Sequence, residues 1–248
     1  MSRFSKRSFE LTPNKRALLE LMLKKEGVST ATAQKITCRR DNSPIPLSFA
    51  QQRLWFLSQL EPDNSSYNDR IAIHLTGKLN VVELRRSIAE IVNRHETLRT
   101  TFVIVDGQPV QIIATSLTLP LPVIDISGLP EAIRKIETER LTVEQARQSF
   151  DLTRSPLLYT VLLRLDATDH LLLLIAHHII GDDWSYGIFM RELAMLYEAF
   201  CNNRPSPLPE LRIQYRDFAH WQRERLQGEV LEQQLAYWRE KLSASKTL

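Results

Sequence analysis

Leu171-Leu172-Leu173-Leu174-Ile175-Ala176-His177-His178-Ile179-Ile180-Gly181-Asp182-Asp183-Trp184-Ser185 is the stretch on which the fold turns. Its apolar run is far shorter than the roughly 18–20 residues a membrane-spanning helix needs. It predicts a strand over His170–Ala176 with two histidines at its tip. Successive side chains leave a strand on opposite sides, so one imidazole can face the core and the other a cleft. Asp182 follows His178 by four residues, just before a helix opening at Trp184, where its carboxylate can brace the histidine's loop. Imidazole is the side chain whose ordinary charge change lies nearest neutral pH, which suits acid–base work. A packed, purely structural histidine pair is the other reading of these residues. A metal site fits less well, because adjacent strand histidines diverge and no third His or Cys ligand lies nearby.

Working outward, Tyr159–Leu165 predicts a partner strand, joined to the first by a turn at Asp166–Asp169. Trp184–Cys201 predicts a helix with Phe189, Leu193, Leu196, Tyr197 and Phe200 facing inward. On the N-terminal side, Ser48 with Gln51 forms a capping-box pattern for a helix through Gln59. Ile71–Leu75 reads as a strand. Val81–Arg94 reads as a helix with Leu84, Ile88 and Ile91 on one face. Leu98–Val105 and Pro109–Ile113 flank Asp106-Gly107, a strong hairpin signal. Glu131–Gln148 predicts a charged helix. Prolines mark a loop over Pro205–Pro209, and one last amphipathic helix runs through Tyr215–Leu242. Strands and helices mix along the chain, so the expected class is an α/β sandwich, a mixed sheet packed by helices.

The N-terminus differs in character. Residues 1–40 carry ten Lys/Arg against three Asp/Glu, whereas the remainder carries 22 against 26. Thr12-Pro13 opens a basic helix that stops at Gly27, a candidate docking element over residues 1–27. A polar, proline-containing linker follows over 28–46, and the globular body is expected from 47 to 248. The basic arm lacks aromatic interleaving and a dense basic cluster, which argues against nucleic acid. Seven glycines admit neither G-x-G-x-x-G nor a P-loop, so dinucleotide and nucleotide-triphosphate chemistry lose their usual support. No apolar signal segment follows the basic start, and Cys38 and Cys201 form no disulfide or zinc pattern, so a reducing cytoplasm is expected.

Four stretches together resemble the condensation domains of nonribosomal peptide synthetases. They are Ser48-Phe49-Ala50-Gln51-Gln52-Arg53-Leu54-Trp55-Phe56-Leu57, Arg94-His95-Glu96-Thr97-Leu98-Arg99-Thr100-Thr101-Phe102, Ala176–Ser185, and Tyr215-Arg216-Asp217-Phe218-Ala219-His220-Trp221, in family order. The first two look most like the subtype that joins two L-amino acids. The resemblance implies one lobe of a normally two-lobed domain similar to chloramphenicol acetyltransferase. It implies transfer of an acyl group to an amine, with substrates presented on the phosphopantetheine arms of carrier proteins and no cofactor bound by this chain. Carrier proteins and the remaining synthetase domains would be the partners, with neither nucleic acid nor membrane.

His178 matches the family's catalytic position, as general base or in stabilising and positioning the intermediate. Asp182 is taken with it. It matches a structural position paired with an arginine of the second stretch, Arg94 in preference to Arg99; a helix cap before Trp184 is the alternative. His177 is expected to be packed. One residue departs from the family pattern: Asp183 stands where a glycine is usual, and a second carboxylate beside His178 would favour its protonated form. The later motifs of the second lobe do not occur, so the isolated chain is expected to be inactive. The alternative to an acyltransferase is an inactive remnant acting as an interaction or docking module.

Overall fold

The computed structural model describes residues 35–39, 44–62 and 64–243, together with Met22. Residues 1–36 and 37–248 form two separate units. The expected basic helix ending at Gly27 lies outside the described residues but for Met22, and the second unit carries the fold.

Its elements in chain order are β1 (Ile45–Pro46), α1 (Phe49–Leu60), β2 (Asn68–Thr76), α2 (Val81–Arg94), β3 (Thr100–Val105), β4 (Gln108–Ile113), β5 (Val123–Asp125), α3 (Glu131–Ala146), β6 (Leu158–Asp166), β7 (Asp169–His177), α4 (Asp183–Cys201), α5 (Tyr215–Arg225) and α6 (Gly228–Ser243). The larger sheet has the order β2-β7-β6-β5, and the smaller β1-β4-β3. All pairs are antiparallel except β5 with β6.

Local chemistry accounts for the boundaries. Ser48 accepts the Gln51 N–H while the Gln51 side chain accepts the Ser48 N–H, the reciprocal box that starts α1. Asn80 accepts from Val82 and Glu83 to start α2, which buries Leu84, Ile88, Ile91 and Val92 along one stripe. Between β3 and β4, Asp106 and Gly107 have φ of 50° and 75°, the left-handed pair a two-residue hairpin turn demands. In β7 every residue from Leu172 to His177 is buried, whichever way it points, so both faces of this central strand are covered. Leu162, Leu163 and Leu172 are wholly buried, and burial of each stabilises the fold by roughly 1.5–3 kcal/mol.

Three expectations are corrected. The helix expected over Tyr215–Leu242 is two helices: Leu226 caps α5, and Gly228 at φ 56° lies in the left-handed region, which a continuous α-helix does not contain. Ile45 and Pro46, expected in the linker, pair with Gln111 and Val110 as β1. The short strand β5, too brief to show a period of two, has no counterpart among the expected elements; it adds to the sheet through a parallel register with Leu162–Arg164.

Candidate active site

β7 and α4 are joined by the turn that carries His178. The His177 N–H bonds to the Leu157 carbonyl of β6's leading end, and the His178 N–H to the Tyr67 carbonyl before β2, so adjacent residues are pinned to opposite neighbours. The two imidazoles diverge accordingly. His177 is buried, 4% exposed, with Phe150 edge-on at 6.2 Å and Tyr67 at 6.5 Å. Its Nδ1 accepts the Ile179 N–H at 3.1 Å, and burial pushes its pKa down to about 4, so it stays neutral. The His178 side chain is 39% exposed and opens into a cleft of about 160 Å³, lined also by Arg53, Leu54, Gly181, Asp182 and Tyr215.

Asp69 holds the His178 ring. Its Oδ2 lies 2.7 Å from His178 Nδ1, and the Tyr186 hydroxyl donates to the same oxygen at 2.7 Å. A carboxylate oxygen accepts, so Nδ1 carries a proton in this bond. Register places Asp69 here: it stands opposite Ala176 on β2, and Ala176 and His178 are two apart on the neighbouring strand, so the three share a face. Tyr186 arrives one helical turn after Asp182. Burial, then the bond to Asp69, keeps its phenol protonated far above the ordinary range. Tyr186 also forms part of the wall of an apolar cavity of about 310 Å³ with Ile91, Leu98, Leu174, Phe189 and Ile213.

Sequence reading missed Asp69 and Tyr186. Asp69 sits two residues before the strand expected from Ile71, and a polar residue at an apolar strand's margin carries no local mark of its partner. The one available signal was a carboxylate with no helix to cap.

Asp182 does not meet either arginine. Its Oδ1 accepts the Ser185 N–H at 2.9 Å and the Ser185 hydroxyl at 2.6 Å, the N-cap of α4. Those bonds from Ser185, the hydroxyl's first, hold its carboxyl below the usual range. The expected pairing with Arg94 fails because α2 packs on α4 further along, where Arg94 Nε meets Glu192 at 3.2 Å and His95 Nε2 meets its other oxygen at 2.7 Å. Arg99 instead donates to the carbonyls of Ala114 and Asn93. Asp183 opens α4 on an exposed position and does not line the cleft; the carboxylate beside His178 comes from another strand. At the positive end of the helix dipole an exposed Asp is well placed.

The four sequence stretches converge on this turn. The Gln51 amide approaches the Ile179 carbonyl at 3.5 Å, and the Thr97 hydroxyl donates to the Ile180 carbonyl at 3.0 Å. Tyr215 meets Ser48 at 3.0 Å, and Gln214 bridges the Arg94 carbonyl and the Glu96 N–H. Three are thus scaffolding for the fourth. Among the described residues no group of His, Cys, Asp or Glu is arranged to hold a metal, and no helix is long and apolar enough to cross a membrane.

At this turn, then, a half-exposed imidazole lines a cleft while its Nδ1 is held by a carboxylate. The condensation-domain family profile matches residues 42–248, and the chain belongs to that family. It is 46% identical over 222 residues to a linear gramicidin synthase of Brevibacillus parabrevis, covering 90% of this chain and 4% of that one. The X-domain from teicoplanin biosynthesis is similar in structure, with TM-score 0.74 and 28% identity over 86% of this chain and 46% of that one. The starter condensation domain of rhizomide synthetase, at 20% identity, shares the fold with TM-score 0.74, covering 82% of this chain and 49% of that one. The chain thus spans about half of these structures and a small part of the gramicidin synthase.

Proposed function

We propose that this chain supplies the histidine-bearing lobe of a condensation site that forms peptide bonds in nonribosomal peptide synthesis. The observation that carries the reading is His178: Nδ1 is tied back to Asp69 and the half-exposed ring lines the cleft. Aminoacyl groups arrive as thioesters on the phosphopantetheine arms of carrier proteins. The acceptor's α-amine attacks the donor's carbonyl carbon, a C–N bond forms, the C–S bond breaks, and the donor arm leaves as thiol. The proton shed by the amine passes to Nε2 and on to the departing sulfur. Of the two roles that the family resemblance left open for His178, the bonding favours the base, since a tied Nδ1–H leaves the other nitrogen as acceptor. In this reading His177, Asp182, Arg94, Arg99 and Asp183 keep the lobe in shape. Carrier proteins, the second lobe and the other synthetase domains are the partners, in the cytoplasm.

The test combines the chain with the complementary lobe of a relative and two aminoacyl-loaded carrier proteins, following dipeptidyl thioester by mass spectrometry. His178→Ala is expected to lower the rate by about 10²- to 10⁴-fold, the usual span for losing a general base. Full activity in that variant overturns the assignment, and dipeptide formation by the chain alone overturns the need for a second lobe.

A further inference from the structure

We infer that Asp69 is a positioning residue for His178 and that Tyr186 holds Asp69 in place, so that the pair selects the Nδ1–H form of the imidazole and turns Nε2 into the cleft. Two bonds of 2.7 Å converge on one oxygen, Asp69 Oδ2, one from the ring nitrogen and one from the phenol. Neither donor is interchangeable. The His178 main chain is fixed by its N–H on the Tyr67 carbonyl, and the phenol is carried by α4, whose start Asp182 caps. Asp69 in turn is fixed by its place opposite Ala176 in the β2–β7 register. Three separate elements thus meet at one atom.

The arrangement also has a reason to be where it is. The His178 ring is partly exposed, and a half-exposed imidazole without a partner populates both tautomers and swings about its side-chain bonds. A carboxylate on Nδ1 removes both freedoms. The Tyr186 hydroxyl, a donor kept protonated by burial, saturates the same oxygen and prevents the carboxylate from rotating away. A β-carbon at Gly181 would stand 3.5 Å from the Tyr186 ring, an ordinary contact, so the aromatic packs against the turn itself. Asp69 and Tyr186 are not among the residues lining the cleft beside His178. They act through His178, and their contribution to transfer rests on the function proposed above. The bond itself does not.

The test has two readouts. Long-range nitrogen–proton NMR of isotope-labelled histidine, assigned by the resonances lost in His178→Ala, reports which ring nitrogen holds the proton. The intact chain is expected to read as Nδ1–H, and Asp69→Asn to move the ring toward Nε2–H. In the two-carrier assay Asp69→Asn is expected to lower kcat by about tenfold or more, less than His178→Ala does, with KM nearly unchanged. Tyr186→Phe is expected to retain the Nδ1–H form and lower kcat by only a few-fold. Asp69→Ala guards against misfolding peculiar to the amide; matched circular dichroism in both variants keeps the comparison valid. An unaltered tautomer in Asp69→Asn, or an unaltered kcat beside an inactive His178→Ala, overturns the inference. Full activity in His178→Ala overturns the proposed function instead, and the tautomer readout still judges the bond.

Discussion

Two histidine–carboxylate pairs in this molecule have the same 2.7 Å separation and opposite characters. His95 meets Glu192 where α2 packs on α4, and His178 meets Asp69 where β7 ends beside β2. In the first, the carboxylate is 8% exposed and spends one oxygen on His95 and the other on the Arg94 guanidinium, itself 13% exposed. Both carboxylate oxygens are thereby engaged, and His95 is 22% exposed. In the second, the histidine is 39% exposed, and its far nitrogen has no protein partner among the described residues. A hydrogen-bond length alone therefore does not make a histidine functional. The role proposed for His178 rests instead on its exposure and its place in the cleft.

The comparison can be broken most forcefully at Glu192. Removing one partner from a buried charge cluster leaves the others uncompensated, which costs about 3–5 kcal/mol. Glu192→Ala is expected to lower the melting temperature by on the order of 10 °C for a chain of this size. Asp69→Ala, at a pair open to solvent, is expected to cost no more than about 1 kcal/mol. Equal losses in thermal denaturation would erase the distinction.

The third imidazole sharpens it next. His177 is neutral in the folded state, with a pKa depressed from 6.5 to about 4 by burial. Below pH 6.5 the unfolded chain takes up a proton that the folded chain refuses. Stability from this group is thus full above pH 6.5 and lost as pH falls towards 4, by at most about 3 kcal/mol. His177→Gln should flatten that limb of a melting-temperature profile recorded between pH 7 and 4; an unchanged slope would show that the acid sensitivity lies elsewhere.

Asp182 gives the smallest effect. Losing an N-cap aspartate costs about 1 kcal/mol. Asp182→Ala should register as a shift of that size in chemical denaturation. A loss several times larger would mean that the residue carries more than the start of α4.

Much of the fold is legible in the sequence, for identifiable reasons. The Asp106-Gly107 turn, the Ser48–Gln51 box and the apolar stripe of α2 are written in residues adjacent or one turn apart, where sequence spacing is spatial spacing. The divergence of His177 and His178 follows from the strand's period of two. The break at Gly228 escapes such a reading because a residue's φ is not encoded by hydrophobic pattern. Arg94 is matched to the wrong carboxylate because two acids on one helix, Asp182 and Glu192, compete for it. Which one wins depends on how far along α4 the end of α2 packs.

By itself, then, the sequence determined most of the helices, the two hairpin strand pairs and a histidine at a strand's tip, since each rests on local periodicity and capping. Tertiary structure alone decided what that histidine is bonded to: Asp69 lies 109 residues away, and only the β2–β7 register carries it to Nδ1. Hydrogen-bond partners between distant segments are fixed by packing to within tenths of an ångström, and no pattern read along a single chain holds that distance.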